Sequence, residues 1–332
     1  MKRGEFWKKI KGRKVQCQLC PHYCSIKEDD VGKCKARQNI GWKLYALNYD
    51  QPVSMNVDPI EKKPLFHFLP GSLSFSIGMA GCNLRCEHCQ NFSISQKGSE
   101  EFNMKKVKAA DIVRLALENN CKSISYTYTE PLISYEYIIE IMKLAKKKGL
   151  KNVIVSNGFV NPRPLKKICT YTDGANIDLK AMSDEFYRNI CGARLNPVLE
   201  SLKTLRENNV WLEITNLLIP RLNDKPSQIK KLVDWVNINL GKDVPVHFTA
   251  FYPRYKMDNR PPTSIASLNQ AYQIGRKKLR YVYTGNAREI EKESTYCPQC
   301  KSKLVLREEY MIKNKIKKGK CSCGEEIPGV WE

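Results

Sequence analysis

The chain has 332 residues, of which 42% are apolar, and this is enough for one large core with small appended modules. No apolar run is long enough to span a bilayer, and no apolar segment of signal-peptide type follows the basic N-terminus, so we expect a cytoplasmic protein without a membrane span. The formal net charge of +22 is spread along the chain and not concentrated in one patch, so nucleic acid is an alternative partner and not the favoured one.

The chain contains 14 cysteines, and 11 of them fall in three tight clusters. Such clustering favours metal ligation in a reducing compartment over a framework of disulfides. The other three cysteines are scattered along the chain, and we expect them to be small buried residues of an apolar core: Cys121, Cys169 and Cys191.

The first cysteine cluster lies in a predicted N-terminal module, residues 1–48. Its four thiols suffice for a zinc ion or for an auxiliary iron-sulfur cluster, and their spacing favours zinc. A zinc ion would make the module a cap or a docking surface, whereas an iron-sulfur cluster would relay electrons. The cysteines of this set are Cys17, Cys20, Cys24 and Cys34.

A connector at 49–71 follows, and its four prolines predict extended backbone. Within it, Lys62, Lys63 and His67 either reach a substrate or lie on the surface of an extended segment.

The block at 72–290 alternates short apolar or β-branched runs with amphipathic helical patterns. Such alternation predicts parallel strands with right-handed crossovers, and hence an α/β fold that forms a partial (β/α)6 TIM-like barrel. In barrels of this kind the loops at the carboxyl ends of the strands hold the active site. The predicted strands are 73–77, 123–128, 152–156, 175–179, 211–218, 244–250 and 281–283.

Three cysteines with the spacing Cys-x3-Cys-x2-Cys directly follow the first predicted strand: Cys82, Cys86 and Cys89. A 4Fe-4S cluster has four irons to ligate, so three thiolates leave one iron open. An open coordination position distinguishes a catalytic metal centre from a closed structural one. The alternative is a zinc knuckle that His88 completes.

Polar side chains also follow the later strands. Glu130 comes after the second strand, where it could instead be an acidic residue that complements a helix N-terminus. Asn157 follows the third strand. Asp178 and Lys180 end the fourth strand and, being two residues apart, face the same side, where they could also form an interior ion pair.

The fifth and sixth strands lead to further candidates. Arg221 and Asn223 after the fifth strand are weaker candidates for ribose or substrate contact. Four residues assigned to the mouth after the sixth strand are the stronger candidates for the substrate side: His247, Tyr252, Arg254 and Tyr255.

The segment 291–332 is predicted to be a zinc-ribbon-like module. Its two cysteine pairs, Cys297 with Cys300 and Cys321 with Cys323, are separated by 20 residues. Four thiolates make a closed tetrahedral site, so we expect structural zinc, with a rubredoxin-like iron site as the lesser alternative. Zinc would supply folding energy that so small a module cannot obtain from its core.

The cysteine triad and the strand ends that follow it resemble those of the radical S-adenosylmethionine (radical SAM) enzymes. In that family the open iron is chelated by SAM, and an electron from the reduced cluster splits SAM into methionine and a 5'-deoxyadenosyl radical. The resemblance implies that Glu130 binds the SAM ammonium, that Lys180 faces the SAM carboxylate, and that Asn157, Asp178 and His88 lie beside the cofactor, with His88 near the adenine.

The chain departs from the family pattern at two strand ends. The family usually has glycines before the acidic residue that follows the second strand, and Tyr128 and Thr129 stand there instead. The family often has an acidic residue before a Thr-Asn-Gly element at the end of the third strand; here that element is Ser-Asn-Gly at 156–158, and Val155 stands before it.

Three longer segments resemble one branch of the family, the radical SAM enzymes of the AmmeMemoRadiSam system, which are related to the pyruvate formate-lyase activating enzymes. These segments are DPIEKKPLFHFLP at 58–70, SISQ at 93–96 and IPGVW at 327–331. The resemblance implies an electron donor of the ferredoxin or flavodoxin type and partner proteins of the Memo-like and AMMECR-like families. It also implies hydrogen abstraction from a substrate that is a partner protein, as in the activases.

Two other functions stay open at this point. The chain could be a radical SAM enzyme that modifies RNA, with its basic N-terminus and ribbon as a clamp. It could also be a metal-binding adaptor without enzymatic activity.

Overall fold

The computed structural model describes residues 1–287, 290–308 and 311–332. Residues 288–289, at the end of the predicted barrel block, and 309–310, in the predicted C-terminal module, lie outside the described residues. No helix within the described ranges is long and apolar enough to cross a membrane.

The N-terminal part of the chain consists of six short strands. They form two antiparallel sheets of three strands each, in the orders β1-β6-β5 and β2-β3-β4. The strands are β1 (Lys2–Arg3), β2 (Trp7–Ile10), β3 (Lys14–Cys17), β4 (Ser25–Ile26), β5 (Arg37–Ile40) and β6 (Lys43–Ala46).

A buried ion pair joins these small sheets to the rest of the molecule. Arg37 Nη1 lies 2.7 Å from Glu136 Oε1, and the two side chains are 1% and 4% exposed. Arg37 Nε also donates to the carbonyl oxygen of Ile133 at 3.1 Å. Because a buried charge is costly unless it is paired, this contact ties the N-terminal sheets to the central domain.

The central sheet has eight strands that lie side by side in chain order. The first two strands pair antiparallel and the other six pairings are parallel, which confirms the predicted α/β fold with a central parallel sheet. The strands are β7 (Pro52–Pro59), β8 (Leu73–Met79), β9 (Ser123–Tyr126), β10 (Lys151–Ser156), β11 (Gly174–Asp178), β12 (Trp211–Leu218), β13 (Val246–Ala250) and β14 (Val282–Gly285).

Two features of this sheet differ from the sequence prediction. The proline-rich connector contributes the edge strand β7, which pairs with β8 along its whole length. The second parallel strand, β9, ends at Tyr126 and not at Tyr128. Tyr128 has a φ of 67°, a left-handed conformation that cannot continue a strand.

Helices connect the parallel strands and cover them with their apolar faces. In the helix at Tyr135–Lys147 the apolar face is buried, and Gly149, with a φ of 76°, turns the chain after it. The helices are α1 (Phe92–Ser95), α2 (Ala109–Glu118), α3 (Tyr135–Lys147), α4 (Pro162–Cys169), α5 (Asp184–Phe186), α6 (Leu195–Glu207), α7 (Pro226–Asn239), α8 (Ile265–Arg276) and α9 (Ile290–Glu293).

Several single turns complete the connections. A π-helical turn, Tyr187–Cys191, follows α5 directly. Short 3-10 turns are found at Ile60–Lys62, Ser99–Glu101, Pro131–Ser134 and Tyr255–Met257.

The C-terminal part forms a third antiparallel sheet in the order β15-β16-β17. Its strands are β15 (Thr295–Tyr296), β16 (Lys303–Glu308) and β17 (Met311–Asn314). This part is joined to the connector, since Phe68 and Val330 form a parallel bridge.

A buried polar network at the amino end of the parallel strands centres on Glu213, which is fully buried in β12. Its carboxylate accepts hydrogen bonds from the backbone nitrogens of Phe66 (3.0 Å) and His67 (2.7 Å), from Trp211 Nε1 (3.0 Å) and from His247 Nε2 (2.6 Å). One carboxylate thus accepts hydrogen bonds from four donors, of which three are buried and the one from Trp211 is partly buried, and these donors come from three segments of the chain.

The placement of His247 corrects the sequence prediction. His247 is the second residue of β13, near the end opposite the mouth, and it is only 2% exposed. The prediction that it lies on the substrate side is therefore wrong, because a side chain at the amino end of a parallel strand is separated from the carboxyl edge by the strand itself.

We expect Glu213→Leu to lower the free energy of unfolding by about 3–5 kcal/mol, because four donors, three of them buried, lose their acceptor. Urea unfolding followed by circular dichroism measures this loss. The control is Glu118→Leu on the exposed face of α2, for which we expect a change within about 0.5 kcal/mol. Equal losses for the two variants would contradict the role of Glu213.

Candidate functional site

The loop that follows β8 carries the cysteine triad at the carboxyl edge of the sheet. Gly81, which opens the loop, has a φ of 94°, and a Cβ at this position would lie 2.4 Å from the carbonyl oxygen of Cys34. Only glycine meets both requirements, the left-handed backbone and the close approach of another chain segment. The N-terminal sheets therefore pack directly against the start of the loop.

Hydrogen bonds from distant segments hold the loop in place. The backbone nitrogens of Arg85 and Glu87 donate to the carbonyl oxygens of Cys191 (2.8 Å) and Ile190 (3.0 Å). The Asn83 amide donates to the carbonyl oxygen of Phe159 at 2.8 Å. Hydrogen bonds to other segments of the chain thus hold the loop in one position, and a site for a metal cluster requires such support.

The thiols of the triad are spaced more widely than the ligands of a single metal ion. Among the described residues, three or more ligand atoms lie within 4.8 Å of one another in two groups only: Cys297, Cys300, Cys321 and Cys323 form one, and Cys86, His88 and Cys191 form the other. Cys82, Cys86 and Cys89 do not form such a group. This separation fits a four-iron cluster, in which each thiolate binds a different iron, and it does not fit the alternative of a zinc knuckle.

Cys191 is fully buried in the apolar core, as predicted, but the sequence analysis gave it no part in the site. In the structure its thiol hydrogen-bonds that of Cys86, and this bond lowers the pKa of Cys86 and raises the pKa of Cys191 well above its ordinary value. The spacing of the cysteines in the sequence could not reveal this contact. The π-helical turn that carries Cys191 reaches the triad only through tertiary packing.

Lys180 supplies positive charge beside the triad. Its Nζ lies 3.0 Å from Asp178 Oδ2, so the two residues form the ion pair that the sequence allowed. Burial by itself lowers the pKa of Lys180, but Asp178 and the thiols of Cys86 and Cys191 outweigh it and raise that pKa well above its ordinary value. Lys180 therefore carries its charge at neutral pH, next to one of the triad cysteines.

Glu130 is buried and its carboxylate is held entirely by donors of the protein. It accepts hydrogen bonds from the backbone nitrogens of Leu132 (3.0 Å) and Asn157 (2.9 Å) and from the Ser156 hydroxyl (2.9 and 3.0 Å). The bond to Leu132 is the helix N-terminal contact that the sequence left as an alternative. Burial raises the pKa of Glu130 to about 7.

Glu130 and Asn157 both act on the first cysteine of the triad. Burial raises the pKa of Cys82 well above its ordinary value, and the charge of Glu130 raises it further. The Asn157 amide lies 3.8 Å from Cys82 Sγ and donates to Asn83 Oδ1 at 2.9 Å. The carboxyl ends of β9 and β10 thus converge on Cys82, as parallel strands require.

His88 is buried, with only 4% of its surface exposed. Burial lowers its pKa to about 3, and its Nδ1 is a buried atom without a hydrogen-bond partner. A buried polar atom without a partner is costly, and a bound ligand can satisfy it.

Three of the substrate-side candidates lie at the mouth. The Tyr255 ring stacks on the ring of Phe92, which comes just after the triad, with a distance of 4.7 Å between the ring centroids. The Arg254 guanidinium lies 5.9 Å from the centroid of the Phe92 ring. Tyr252 is 52% exposed and its hydroxyl donates to the carbonyl oxygen of Asn286 at 2.9 Å.

The weaker candidates are placed differently. Asn223 is buried, and its amide donates to the carbonyl oxygens of Lys180 (2.7 Å) and Leu217 (2.8 Å), so it supports the backbone there, while Arg221 is exposed.

In the connector, neither of the two alternatives, contact with a substrate or a place on the surface, fits Lys63 and His67, because both are buried. Lys63 is buried with its Nζ 2.7 Å from Asp58 Oδ2, and the fully buried His67 hydrogen-bonds the Tyr283 hydroxyl at 2.6 Å. Lys62 is exposed and pairs with Asp58.

The C-terminal cysteines form a compact set. The sulfur of Cys297 lies 3.6 Å from that of Cys323, and the same distance separates the sulfurs of Cys300 and Cys321. Four thiols so close together have the geometry of a tetrahedral site for one ion.

Comparison with known proteins agrees with this geometry. The sequence profile of the Radical SAM superfamily matches residues 76–236. An uncharacterized protein of Methanocaldococcus jannaschii is 40% identical to this chain over 334 residues, which cover 98% of this chain and 99% of that protein. The pyruvate formate-lyase-activating enzyme of Clostridium pasteurianum is 25% identical over 180 residues, which cover 50% of this chain and 72% of that enzyme.

Among solved structures, Streptococcus suis SuiB superimposes with a TM-score of 0.52 at 15% identity, covering 68% of this chain and 52% of SuiB, and it supports the fold alone. The matched profile spans the cysteine loop and the strand ends described above. Residues 76–236 of the chain belong to the radical SAM superfamily, and pyruvate formate-lyase activating enzymes are among the distant relatives of the chain.

Proposed function

We propose that this chain binds a 4Fe-4S cluster through Cys82, Cys86 and Cys89 and that SAM occupies the open iron. When bound and reduced, the cluster supplies the electron that splits SAM into methionine and a 5'-deoxyadenosyl radical, which abstracts hydrogen from an unidentified substrate. The observation that carries this proposal is the wide triad, held in a rigid loop at the carboxyl edge of the sheet.

The residues around the triad suit the two charged groups of SAM. Lys180 is cationic and lies next to Cys86, where it can pair with the SAM carboxylate. Glu130 lies next to Cys82 and can attract the SAM ammonium. Asn157 lies between Glu130 and Cys82, since its backbone nitrogen donates to Glu130 and its side-chain amide lies near Cys82 Sγ. Asp178 holds Lys180 in position.

We assign His88 to contact with the adenine of SAM. Its buried and unpartnered Nδ1 provides one hydrogen-bonding atom for a base. Tyr252, Arg254 and Tyr255 form the rim of the mouth and are the candidates for contact with the substrate.

We propose that the substrate is a partner protein, as for the activases that this chain resembles in sequence. Assignment to the AmmeMemoRadiSam branch, with partners of the Memo-like and AMMECR-like families, rests on the three sequence segments quoted above. We also propose that an electron donor of the ferredoxin or flavodoxin type reduces the cluster, as the family resemblance of the sequence implies. Reduced thiolate ligands also favour a cytoplasmic location.

The remaining parts of the architecture are proposed in the same way. The open sheet corresponds to a partial (β/α)6 barrel at 72–290, preceded by the N-terminal module at 1–48 and the connector at 49–71. The segment 291–332 is assigned as a zinc-ribbon-like module whose four close thiols bind structural zinc.

The first test is the removal of single triad cysteines. We expect Cys82→Ala, Cys86→Ala and Cys89→Ala each to abolish formation of 5'-deoxyadenosine from SAM with dithionite as reductant, because the cluster loses a ligand. Chromatography of the reaction products measures this nucleoside. Cys121→Ala, at a buried cysteine outside the site, is the control. A triad variant that still forms 5'-deoxyadenosine would refute the proposal.

The second test concerns the SAM carboxylate. We expect Lys180→Met to weaken SAM binding by about 10- to 100-fold, because a hydrogen bond to a charged group contributes about 1.5–3 kcal/mol. Equilibrium dialysis of reconstituted protein with SAM measures the affinity. Lys166→Met on the exposed face of α4 is the matched control, and equal affinities of the two variants would contradict the assignment.

The third test concerns the C-terminal thiols. We expect the double variant Cys297→Ser/Cys300→Ser to lose about one zinc ion per chain, because two of four ligands are gone, and to unfold at a lower temperature. Elemental analysis and calorimetry measure the two effects. The control is Cys169→Ser, and a double variant with unchanged zinc content would rule out this site.

A further inference from the structure

We propose that the N-terminal cysteines Cys17, Cys20, Cys24 and Cys34 bind a second four-iron cluster, and not the zinc ion that their spacing in the sequence favours. The structure supplies three independent observations for this assignment: the separation of the thiols, a buried arginine nitrogen beside them that has no hydrogen-bond partner, and their position against the triad loop.

The four thiols line one cavity, yet they are too far apart for a single ion. No three of them lie within 4.8 Å of one another, whereas the C-terminal cysteines have sulfur pairs at 3.6 Å. Zinc with Zn–S bonds of about 2.3 Å requires sulfurs about 3.8 Å apart. A four-iron cluster places each thiolate on a different iron, and the spacing is correspondingly wider.

The triad provides an internal comparison. Its cysteines lie within the segment that matches the Radical SAM superfamily and bind a four-iron cluster under the proposed function, and they too fail to form a close group among the described residues. The same chain therefore contains one close set of thiols, at its C-terminal end, and two wide sets. The N-terminal set resembles the cluster-binding set and not the ion-binding one.

Arg37 shows that the cavity is suited to an anion with hydrogen-bond acceptors. Its side chain is 1% exposed and lines the cavity together with the four cysteines. The Nη1 and Nε atoms are paired with Glu136 and Ile133, but Nη2 is buried and has no hydrogen-bond partner. A cluster with four thiolates is anionic, and its sulfur atoms accept hydrogen bonds, so it would satisfy this nitrogen.

The cavity adjoins the triad loop. Asn83, the neighbour of Cys82, lines the cavity, and its carbonyl oxygen accepts a hydrogen bond from His22 Nε2 at 2.7 Å. The carbonyl oxygen of Cys34 packs against Gly81. One loop thus separates the two cysteine sets.

This proximity suits a relay of single electrons, a role that rests on the proposed function. A donor of the ferredoxin or flavodoxin class gives one electron to the N-terminal cluster, which is reduced, and that cluster passes the electron to the triad cluster and is oxidised again. No bond is formed or broken in the relay, and no proton is transferred.

The test uses the full chain with all three triad cysteines changed, Cys82→Ala/Cys86→Ala/Cys89→Ala, reconstituted anaerobically with iron, sulfide and zinc. We expect about four iron and about four sulfide ions to remain per chain, with the Mössbauer spectrum of a four-iron cluster. Zinc bound in place of iron and sulfide would overturn the proposal. This count does not depend on SAM cleavage, so its failure is distinguishable from failure of the proposed function.

A second set of variants locates the cluster. In the triad-free chain, we expect the added changes Cys17→Ala/Cys20→Ala to remove the remaining iron and sulfide, and the added change Cys121→Ala to leave them in place. Iron and sulfide retained after the first pair of changes would overturn the assignment. If that variant does not fold, the Mössbauer spectrum of the triad-free chain still decides between cluster and zinc.

The relay is tested with an intact triad. In Cys17→Ala/Cys20→Ala, we expect the rate of SAM cleavage driven by reduced flavodoxin or ferredoxin to fall several-fold more than the rate driven by dithionite, a small reductant that reaches the triad cluster directly. Equal losses with both reductants would overturn the relay.

Discussion

The backbone hydrogen bonds of the cysteine loop are the constraint on which the site depends. A loop after a strand is ordinarily mobile, yet this one is tied at Arg85 and Glu87 to the π-helical turn and at Asn83 to the segment after β10. Its ligands are therefore positioned before any cluster binds. The same contacts bring Cys191 and Lys180 against Cys86, so the electrostatics of the site follow from how the loop is held.

Different parts of the chain pack against the two ends of the parallel strands. At the carboxyl end, the N-terminal sheets contact the triad loop through Cys34 and His22. At the amino end, Glu213 accepts hydrogen bonds from buried donors of the connector and of β13. The C-terminal part adjoins this network through Thr295, which hydrogen-bonds Tyr283. The N-terminal part therefore contacts the cysteine loop directly, whereas the C-terminal part contacts the opposite end of the sheet.

Much of the fold was predictable because its signals are local in the sequence. The parallel strands are short apolar runs, and Cys82, Cys86 and Cys89 are close together in one loop, so both patterns can be read from neighbouring residues of the sequence. Predictions for single residues failed where they depended on which end of a strand the residue occupies, or on whether another part of the chain covers it. His247 lies in a correctly predicted strand but at its amino end, and His67 lies in a segment predicted to be exposed that is in fact covered by the C-terminal part.

The sequence by itself determined the superfamily, the alternation of strands and helices, and which cysteines belong together, since each of these depends on residues near one another in the chain. Only the tertiary structure decided what surrounds the cysteines. It brought Cys191 to Cys86 and the cation of Arg37 to the N-terminal thiols, and it set the distances between sulfurs that distinguish a site for one ion from a site for a cluster. These are contacts between residues far apart in sequence, and side-chain packing, not local spacing, determines them.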